Sequence, residues 1–155
     1  MKQFVYIVFL LLSLHVSAQT EKNYGIQFYH GTWKEACDKA KAENKLIFVD
    51  FYTKWCGPCL NVFILPFIGD FYSTNLVTMK IDAENGEGVE LAKRYGVNSY
   101  PTYVFVDPKN GDVVHRSKSR QEAEQFLATG KSALVPELRS GYLIEEFAKG
   151  RDDRE

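Results

Sequence analysis

Two cysteines separated by two residues, in Trp55-Cys56-Gly57-Pro58-Cys59, directly follow a short apolar run, and this junction limits the possible folds more than any other feature. Residues 46–52 are β-branched, aromatic or otherwise apolar around one aspartate, which predicts a buried strand. Pro58 suits the first turn of a following helix, where its missing N–H leaves no hydrogen bond unmade. The cysteines therefore lie where a strand ends and a helix begins, which favours a redox pair over a metal half-site or a structural crosslink.

Length and composition predict one packed domain. The chain has 155 residues, of which 45% are apolar and 14% aromatic, enough for a substantial core but too few for two ordinary domains. The net charge of −1 gives no electrostatic reason to expect a nucleic acid partner.

The first eighteen residues have the pattern of a secretory signal peptide. Lys2 precedes an apolar run over residues 4–12, and Val16 and Ala18 provide a small-x-small cleavage site. We expect cleavage after Ala18, a domain over residues 19–150, and a charged tail over residues 151–155. The alternative is an uncleaved membrane anchor, but the apolar run is shorter than the roughly 20 residues that a span needs. The mature protein is expected in the periplasm or secreted, in an oxidising compartment.

Periodicity and turn residues predict an α/β domain with a central mixed β-sheet and helices on both faces. The spacing of Thr32 and Glu35 predicts a capping box that begins a helix running to residue 44. The cysteine motif should begin a second helix, and Pro66 and Gly69 should break it before a short helix over residues 70–74. The other predicted elements are strands at 46–52, 77–81, 102–107 and 113–116, the last two forming a hairpin, and helices at 89–95, 120–129 and 136–149.

The chain resembles the thioredoxin superfamily over residues 46–115. The resemblance rests on six short segments in the family's order: Val49-Asp50-Phe51, Trp55-Cys56-Gly57-Pro58-Cys59, Lys80-Ile81-Asp82, Tyr95-Gly96-Val97, Tyr100-Pro101-Thr102 and Asn110-Gly111. The helix before residue 46 is more similar to secreted, single-domain members from bacterial envelopes. The resemblance implies the thioredoxin fold.

Cys56 is expected to be the nucleophile, because a helix N-terminus favours the thiolate. Cys59 would resolve the mixed disulfide, so that the two cysteines alternate between dithiol and disulfide. Gly57 and Pro58 are expected at the substrate-binding surface. The alternative is a purely structural disulfide.

A carboxylate in the middle of an apolar strand is unfavourable unless it is paired or hydrogen-bonded. The resemblance implies that Asp50 is the buried acid beneath the cysteines, with a raised pKa, and that it takes the proton from Cys59. It also implies that Lys80 is the partner of this acid. The alternatives are an Asp50 that faces solvent at a strand edge and a Lys80 that is an ordinary exposed lysine.

Pro101 resembles the cis proline that the family packs against its disulfide. Such a bond would leave the backbone of Tyr100 open to an extended substrate segment. Trp55 is expected to form part of the same substrate surface, with a core position as the alternative. Two departures from the family are Tyr100, where a small or aliphatic residue is usual, and Pro66, which lies seven residues after Cys59 rather than about five.

The remaining cysteine and two histidines carry no predicted catalytic role. Cys37 follows a helical pattern and is expected to be a small buried side chain, with a regulatory thiol as the alternative. His30 and His115 have no cysteine or acid at metal-ligand spacing, so we expect no metal. The dithiol/disulfide cycle is expected to need no organic cofactor.

The function expected from these features is that of an envelope thiol:disulfide oxidoreductase. Gly57-Pro58 between the cysteines resembles the reducing type, which favours a reductase of protein disulfides. In an oxidising compartment such a reductase would receive its electrons from a membrane thiol-transfer partner. We expect the protein to be a monomer. The alternatives are a disulfide oxidase or isomerase, and a module that kept the fold only to bind client proteins.

Overall fold

The computed structural model describes residues 24–56 and 63–150. The predicted signal peptide, the residues Gly57, Pro58 and Cys59, and the charged tail at 151–155 lie outside the described residues. No helix in the described part of the chain is long and apolar enough to cross a bilayer.

Nine helices and strands and one 3-10 turn follow one another in the described ranges. They are α1 (Trp33–Glu43), β1 (Leu46–Tyr52), α2 (Pro66–Asn75), β2 (Leu76–Asp82), α3 (Glu87–Arg94), β3 (Thr102–Val106), β4 (Val113–Lys118), α4 (Ala123–Leu134), a 3-10 helix (Pro136–Leu138) and α5 (Ser140–Ala148).

The strands form one mixed sheet in the order β2-β1-β3-β4. Strand β1 pairs in parallel with β2 and antiparallel with β3, and β3 and β4 form the predicted antiparallel hairpin. The central position of β1 explains its continuous apolar sequence, because both of its edges and both of its faces are covered.

Helices cover both faces of this sheet, as predicted. Alternate side chains of β1 point to opposite faces, with Val49 and Phe51 on one and Phe48 on the other. The first face packs against α1 and α3, and the second packs against α2 and α4, where Phe126 lies at the centre of an aromatic cluster.

The predicted capping box is confirmed, since Thr32 and Glu35 each bond the backbone N–H of the other. The predicted break near Pro66 is confirmed, because residues 63 and 64 form a turn and Leu65 is extended. The short helix expected over residues 70–74 is longer than predicted: it begins at Pro66, where a first-turn proline needs no N–H partner, and runs to Asn75.

Gly69 lies within α2 and does not interrupt it. A Cβ at this position would lie 2.2 Å from the carbonyl carbon and oxygen of Gly25, so the glycine allows the N-terminal segment to cross the helix closely. The next residue of that segment, Ile26, donates its N–H to the carbonyl oxygen of Phe63 at 2.8 Å.

The predicted C-terminal helices differ from those observed in their bounds. The helix expected at 120–129 continues to Leu134 because Gly130 lets it pass the ring of Tyr72 without a clash. The helix expected at 136–149 is divided at Arg139, whose backbone is extended, into the 3-10 turn and α5.

Helix α5 lies on β4, which is one of the two edge strands of the described sheet. Ser140 accepts a hydrogen bond from the backbone N–H of Arg116 at 2.9 Å, and its own N–H donates to Nδ1 of His115 at 3.0 Å. Its contacts with the sheet include these polar bonds, while Ile144 and Phe147 are exposed to solvent.

Candidate active site

The cysteine motif begins immediately beyond the end of β1. The backbone N–H of Cys56 donates to the carbonyl oxygen of Thr53 at 3.1 Å, which closes a turn directly after the strand. Cys56 is 9% exposed and is held in a disulfide, whereas Cys37 is a free thiol. The partner of Cys56 therefore lies outside the described residues, as does the predicted partner Cys59.

Asp50 is fully buried on β1, so the alternative of a carboxylate facing solvent is wrong. Among the described residues, neither of its carboxylate oxygens has a hydrogen-bond partner. Burial raises the pKa of Asp50 from 3.8 to about 7, against an opposing effect of the Lys80 charge. The strand that leads to Cys56 therefore holds a carboxyl group that can gain or lose a proton near neutral pH.

Lys80 is the residue of β2 directly opposite Asp50. Its ammonium nitrogen lies 4.0 Å from Oδ2 of Asp50, and 4.9 Å and 5.4 Å from the ring centroids of Tyr52 and Phe63. The side chain of Lys80 is 22% exposed, so the alternative of an ordinary surface lysine is also wrong.

The Tyr100–Pro101 peptide bond is cis, as the resemblance implies. Pro101 is buried and precedes β3, whose beginning meets the end of β1 because the two strands are antiparallel. Its carbonyl oxygen accepts the N–H of Ser119 at 3.1 Å. In contrast, no described residue bonds the backbone N–H or carbonyl oxygen of Tyr100.

Trp55 and Tyr100 form an aromatic pair at the same end of the sheet. Their ring centroids are 5.9 Å apart and nearly perpendicular, the edge-to-face arrangement that aromatic rings prefer. Trp55 is 70% exposed, so the alternative of a core position is wrong. Because Trp55 is the neighbour of Cys56 and Tyr100 the neighbour of Pro101, this contact joins the two motifs.

Glu84 holds the indole of Trp55 and was not predicted as a site residue. Both of its carboxylate oxygens accept the indole N–H, at 3.1 and 3.2 Å. In the sequence Glu84 is one acidic residue of a polar loop. The only sequence feature that could have identified it as a site residue is that this loop follows the strand adjacent to β1.

Thr53 was also missed. Its side chain is 1% exposed, and its hydroxyl has no hydrogen-bond partner among the described residues. A buried hydroxyl without a hydrogen-bond partner is unfavourable, so Thr53 is an unusual residue three positions before Cys56. No pattern in the sequence marks it.

The three side chains predicted to have no catalytic role form none of the hydrogen bonds, ion pairs or ring contacts described above for this site. Cys37 is half-buried against the α1 face of the core, and burial raises the pKa of its thiol. His30 is exposed, while His115 binds the N-terminus of α5. Within residues 24–56 and 63–150, no three His, Cys, Asp or Glu side chains are grouped as a metal site would require.

Comparison with known proteins agrees with this arrangement. The family model described as Thioredoxin matches residues 19–131. Thioredoxin H4 of Arabidopsis thaliana is 38% identical over 87 residues, which are 54% of this chain and 68% of that protein. Thioredoxin-T of Drosophila melanogaster is 40% identical over 112 residues, which are 69% of this chain but less than two thirds, 62%, of that protein.

A solved structure gives a similar result. A candidate disulphide-isomerase from Bacteroides thetaiotaomicron superposes with a TM-score of 0.65 at 39% identity, and the match covers 74% of this chain and 97% of that one. The fold, the buried acid on the strand that leads to Cys56 and the family match agree, and the chain belongs to the thioredoxin family of thiol:disulfide oxidoreductases.

Proposed function

We propose that the protein reduces protein disulfides in the bacterial envelope through a cycle of Cys56 and Cys59. The observation that carries the proposal is Asp50, a buried carboxyl with a pKa of about 7 on the strand that leads into the motif. A structural disulfide needs no such group, whereas a proton transfer at neutral pH does.

The thiolate of Cys56 attacks one sulfur of a substrate disulfide, forming a mixed disulfide and releasing one substrate thiolate. Cys59 then gives its proton to the carboxylate of Asp50 and attacks the sulfur of Cys56. This step releases the second substrate thiolate and leaves the Cys56–Cys59 disulfide, so two electrons have passed to the substrate. An external dithiol must return two electrons before the next turnover.

The substrate surface in this proposal consists of Trp55, Tyr100 and Pro101, with Gly57 and Pro58 of the motif. The open backbone groups of Tyr100 would pair with an extended client segment, and the aromatic pair would cover the client residues that flank the attacked disulfide. Contacts to backbone and to a broad apolar surface suit many client sequences.

The direction of electron flow is proposed from Gly57-Pro58, which resembles the reducing type with a potential of about −270 mV. Isomerase activity is the second candidate, because a solved relative at 39% identity carries that description. A potential of about −180 mV together with the refolding of scrambled disulfides would favour isomerisation, and a value above about −150 mV would exclude the reductase.

The envelope location is proposed from the sequence of residues 1–18, which lie outside the described residues. Two results with the chain expressed in a bacterium would support this location: a mature N-terminus at Gln19 and release with the periplasmic fraction. In this location the electron donor would be a membrane thiol-transfer protein, and the mature domain over residues 19–150 would act as a monomer.

Client trapping tests the activity directly. With Cys59→Ser the mixed disulfide on Cys56 cannot be resolved, so we expect covalently bound client proteins that a reductant releases. Cys37→Ser is the matched control and should leave both insulin reduction and trapping unchanged. Insulin reduction that survives Cys56→Ser would contradict the proposal and favour the client-binding module.

A further inference from the structure

A cavity of about 280 Å³ lies at the end of the sheet away from the cysteine motif. Its lining includes Leu46, the first residue of β1, whereas Cys56 follows the last residue of that strand. At about 3.3 Å per residue, the strand separates the two places by roughly 20 Å. The cavity is therefore distinct from the redox site.

The described residues that line this cavity are strongly biased in charge. Four are cations and one is a carboxylate: Lys41, Lys45, Lys109 and Arg139, with Asp107. The chain as a whole has a net charge of −1, so this excess of positive charge is local. The four cations come from three separate parts of the chain, the end of α1, the β3–β4 turn and the residue before α5.

Two of the cations are partly engaged. The ammonium nitrogen of Lys45 lies 2.8 Å from a carboxylate oxygen of Glu43, which is outside the lining. Nε of Arg139 donates to the carbonyl oxygen of Ala133 at 2.9 Å. That bond uses one of the five N–H groups of the guanidinium, so its two terminal nitrogens keep the forked geometry that binds oxyanions.

Lys41 and Lys109 make no ion pair with any described residue. Asp107, the carboxylate of the lining, accepts the backbone N–H of Lys109 at 2.9 Å. The two ammonium groups are therefore free to bind a ligand.

The negative ends of the nearby helices do not fully neutralise this positive charge. Three helices, α1, α2 and α4, end at the cavity, and each C-terminus is equivalent to about half a negative charge. Together they supply roughly 1.5 negative charges, whereas the lining side chains carry a formal excess of three positive charges, or two once the Glu43 carboxylate beside Lys45 is counted. A positive excess remains after the helix ends are compensated.

We propose that this cavity binds a small oxyanion with several negative charges, a compound carrying two or more phosphate or carboxylate groups. The cavity is slightly smaller than the range of about 300–1,000 Å³ typical of drug-sized ligands, which suits a compact anion. Binding here goes beyond the proposed disulfide reduction and requires neither cysteine of the motif.

Isothermal titration of the full chain with pyrophosphate and with citrate tests the proposal. We expect saturable binding of one anion per chain that weakens as salt is added. Lys41→Ala and Lys109→Ala should each weaken binding about tenfold. Lys93→Ala is the matched control, because Lys93 also lies in the last turn of a helix but does not line the cavity.

Comparison of the two anions identifies the preferred group. Tighter pyrophosphate assigns a phosphate ligand, and tighter citrate assigns a polycarboxylate. Amide NMR shifts should change around Leu46 and Asn75 at the cavity, while insulin reduction by Lys109→Ala stays at the wild-type rate. The proposal is overturned if neither anion saturates, or if Lys93→Ala weakens binding as much as the two cavity variants do.

Discussion

Lys80 and Asp50 face each other across β1 and β2 with 4.0 Å between the ammonium nitrogen and Oδ2. At this distance the positive charge favours the carboxylate without a direct hydrogen bond. Burial nevertheless has the larger effect, because the pKa of Asp50 is raised to about 7 rather than lowered. The pair keeps a titratable proton inside the protein.

Asp50→Asn should stabilise the fold at high pH. Since the pKa of Asp50 is about 7 in the fold and near 3.8 in the unfolded chain, the folded state binds this proton more tightly. The stability that this tighter proton binding contributes is fully present below pH 4 and is lost as the pH rises through 7. We expect the substitution to raise the free energy of unfolding at pH 8 by up to about 4 kcal/mol, and to change it little at pH 4.

Urea denaturation at the two pH values measures this effect. Asp70→Asn, at an exposed position of α2, is the control and should change stability by less than about 0.5 kcal/mol. An equal gain from Asp50→Asn at pH 4 and pH 8 would show that ionisation is not its cause.

Lys80→Met should raise the pKa of Asp50 above 7, because it removes the charge that opposes burial. The carboxyl carbon shift of Asp50, followed by NMR across the pH range, reports this directly. Lys54→Met is the matched control, since Lys54 is also 4.0 Å from a carboxylate, that of Asp82, but is exposed. An Asp50 pKa that stays the same or falls in Lys80→Met would argue against the pairing.

His115 should make the docking of α5 sensitive to pH. Burial, with a smaller effect of Arg139, lowers the pKa of His115 below 6.5, and Nδ1 must be unprotonated to accept the Ser140 N–H. The stability from this contact is therefore present above pH 6.5 and is lost as the pH falls below it. We expect His115→Ala to lower the free energy of unfolding by about 1 kcal/mol at pH 7.5 and by less at pH 5.

The quantity to compare is the difference between the wild type and the variant, because ionisation of Asp50 changes stability in the opposite direction over the same range. His30→Ala, at an exposed histidine, should give the same small difference at both pH values. A difference for His115→Ala that grows as the pH falls would contradict this account.

Gly69→Ala should destabilise the protein although alanine is the better helix former. The new Cβ would lie 2.2 Å from the backbone of Gly25, so the N-terminal segment must move away from α2. We expect a loss of about 1–3 kcal/mol in the free energy of unfolding, measured by thermal or urea denaturation. Thr74→Ala, on the exposed side of the same helix, should be neutral or slightly stabilising, and a stabilising Gly69→Ala would refute the close crossing.

The sequence was sufficient for features that depend on local chemistry. The strand at residues 46–52, the Thr32 capping box and the hairpin after Asp107 each follow from periodicity or from hydrogen bonds within a few residues. Local chemistry showed only that a carboxylate in an apolar strand is unusual, and the resemblance to the thioredoxin superfamily was needed to identify Asp50 as a buried acid.

Contacts between distant parts of the chain could not be predicted in this way. Gly69 was expected to weaken a helix, because nothing near it in the sequence indicates that Gly25 crosses there. Glu84 was overlooked for a related reason, since its partner Trp55 is 29 positions earlier in the chain. In both cases the role of the residue depends on a tertiary contact that the neighbouring sequence does not show.

The central position of β1 also bears on when activity can arise during folding. Asp50 becomes buried only after β1 has paired with β2 on one side and with β3 on the other, and the β3 partner, Tyr103, is more than fifty residues further along the chain. Such distant pairings form slowly compared with local helices. A newly made or partly unfolded chain therefore carries its thiols before Asp50 is buried, and the proposed proton transfer from Cys59 becomes available only when β1 has both of its neighbouring strands.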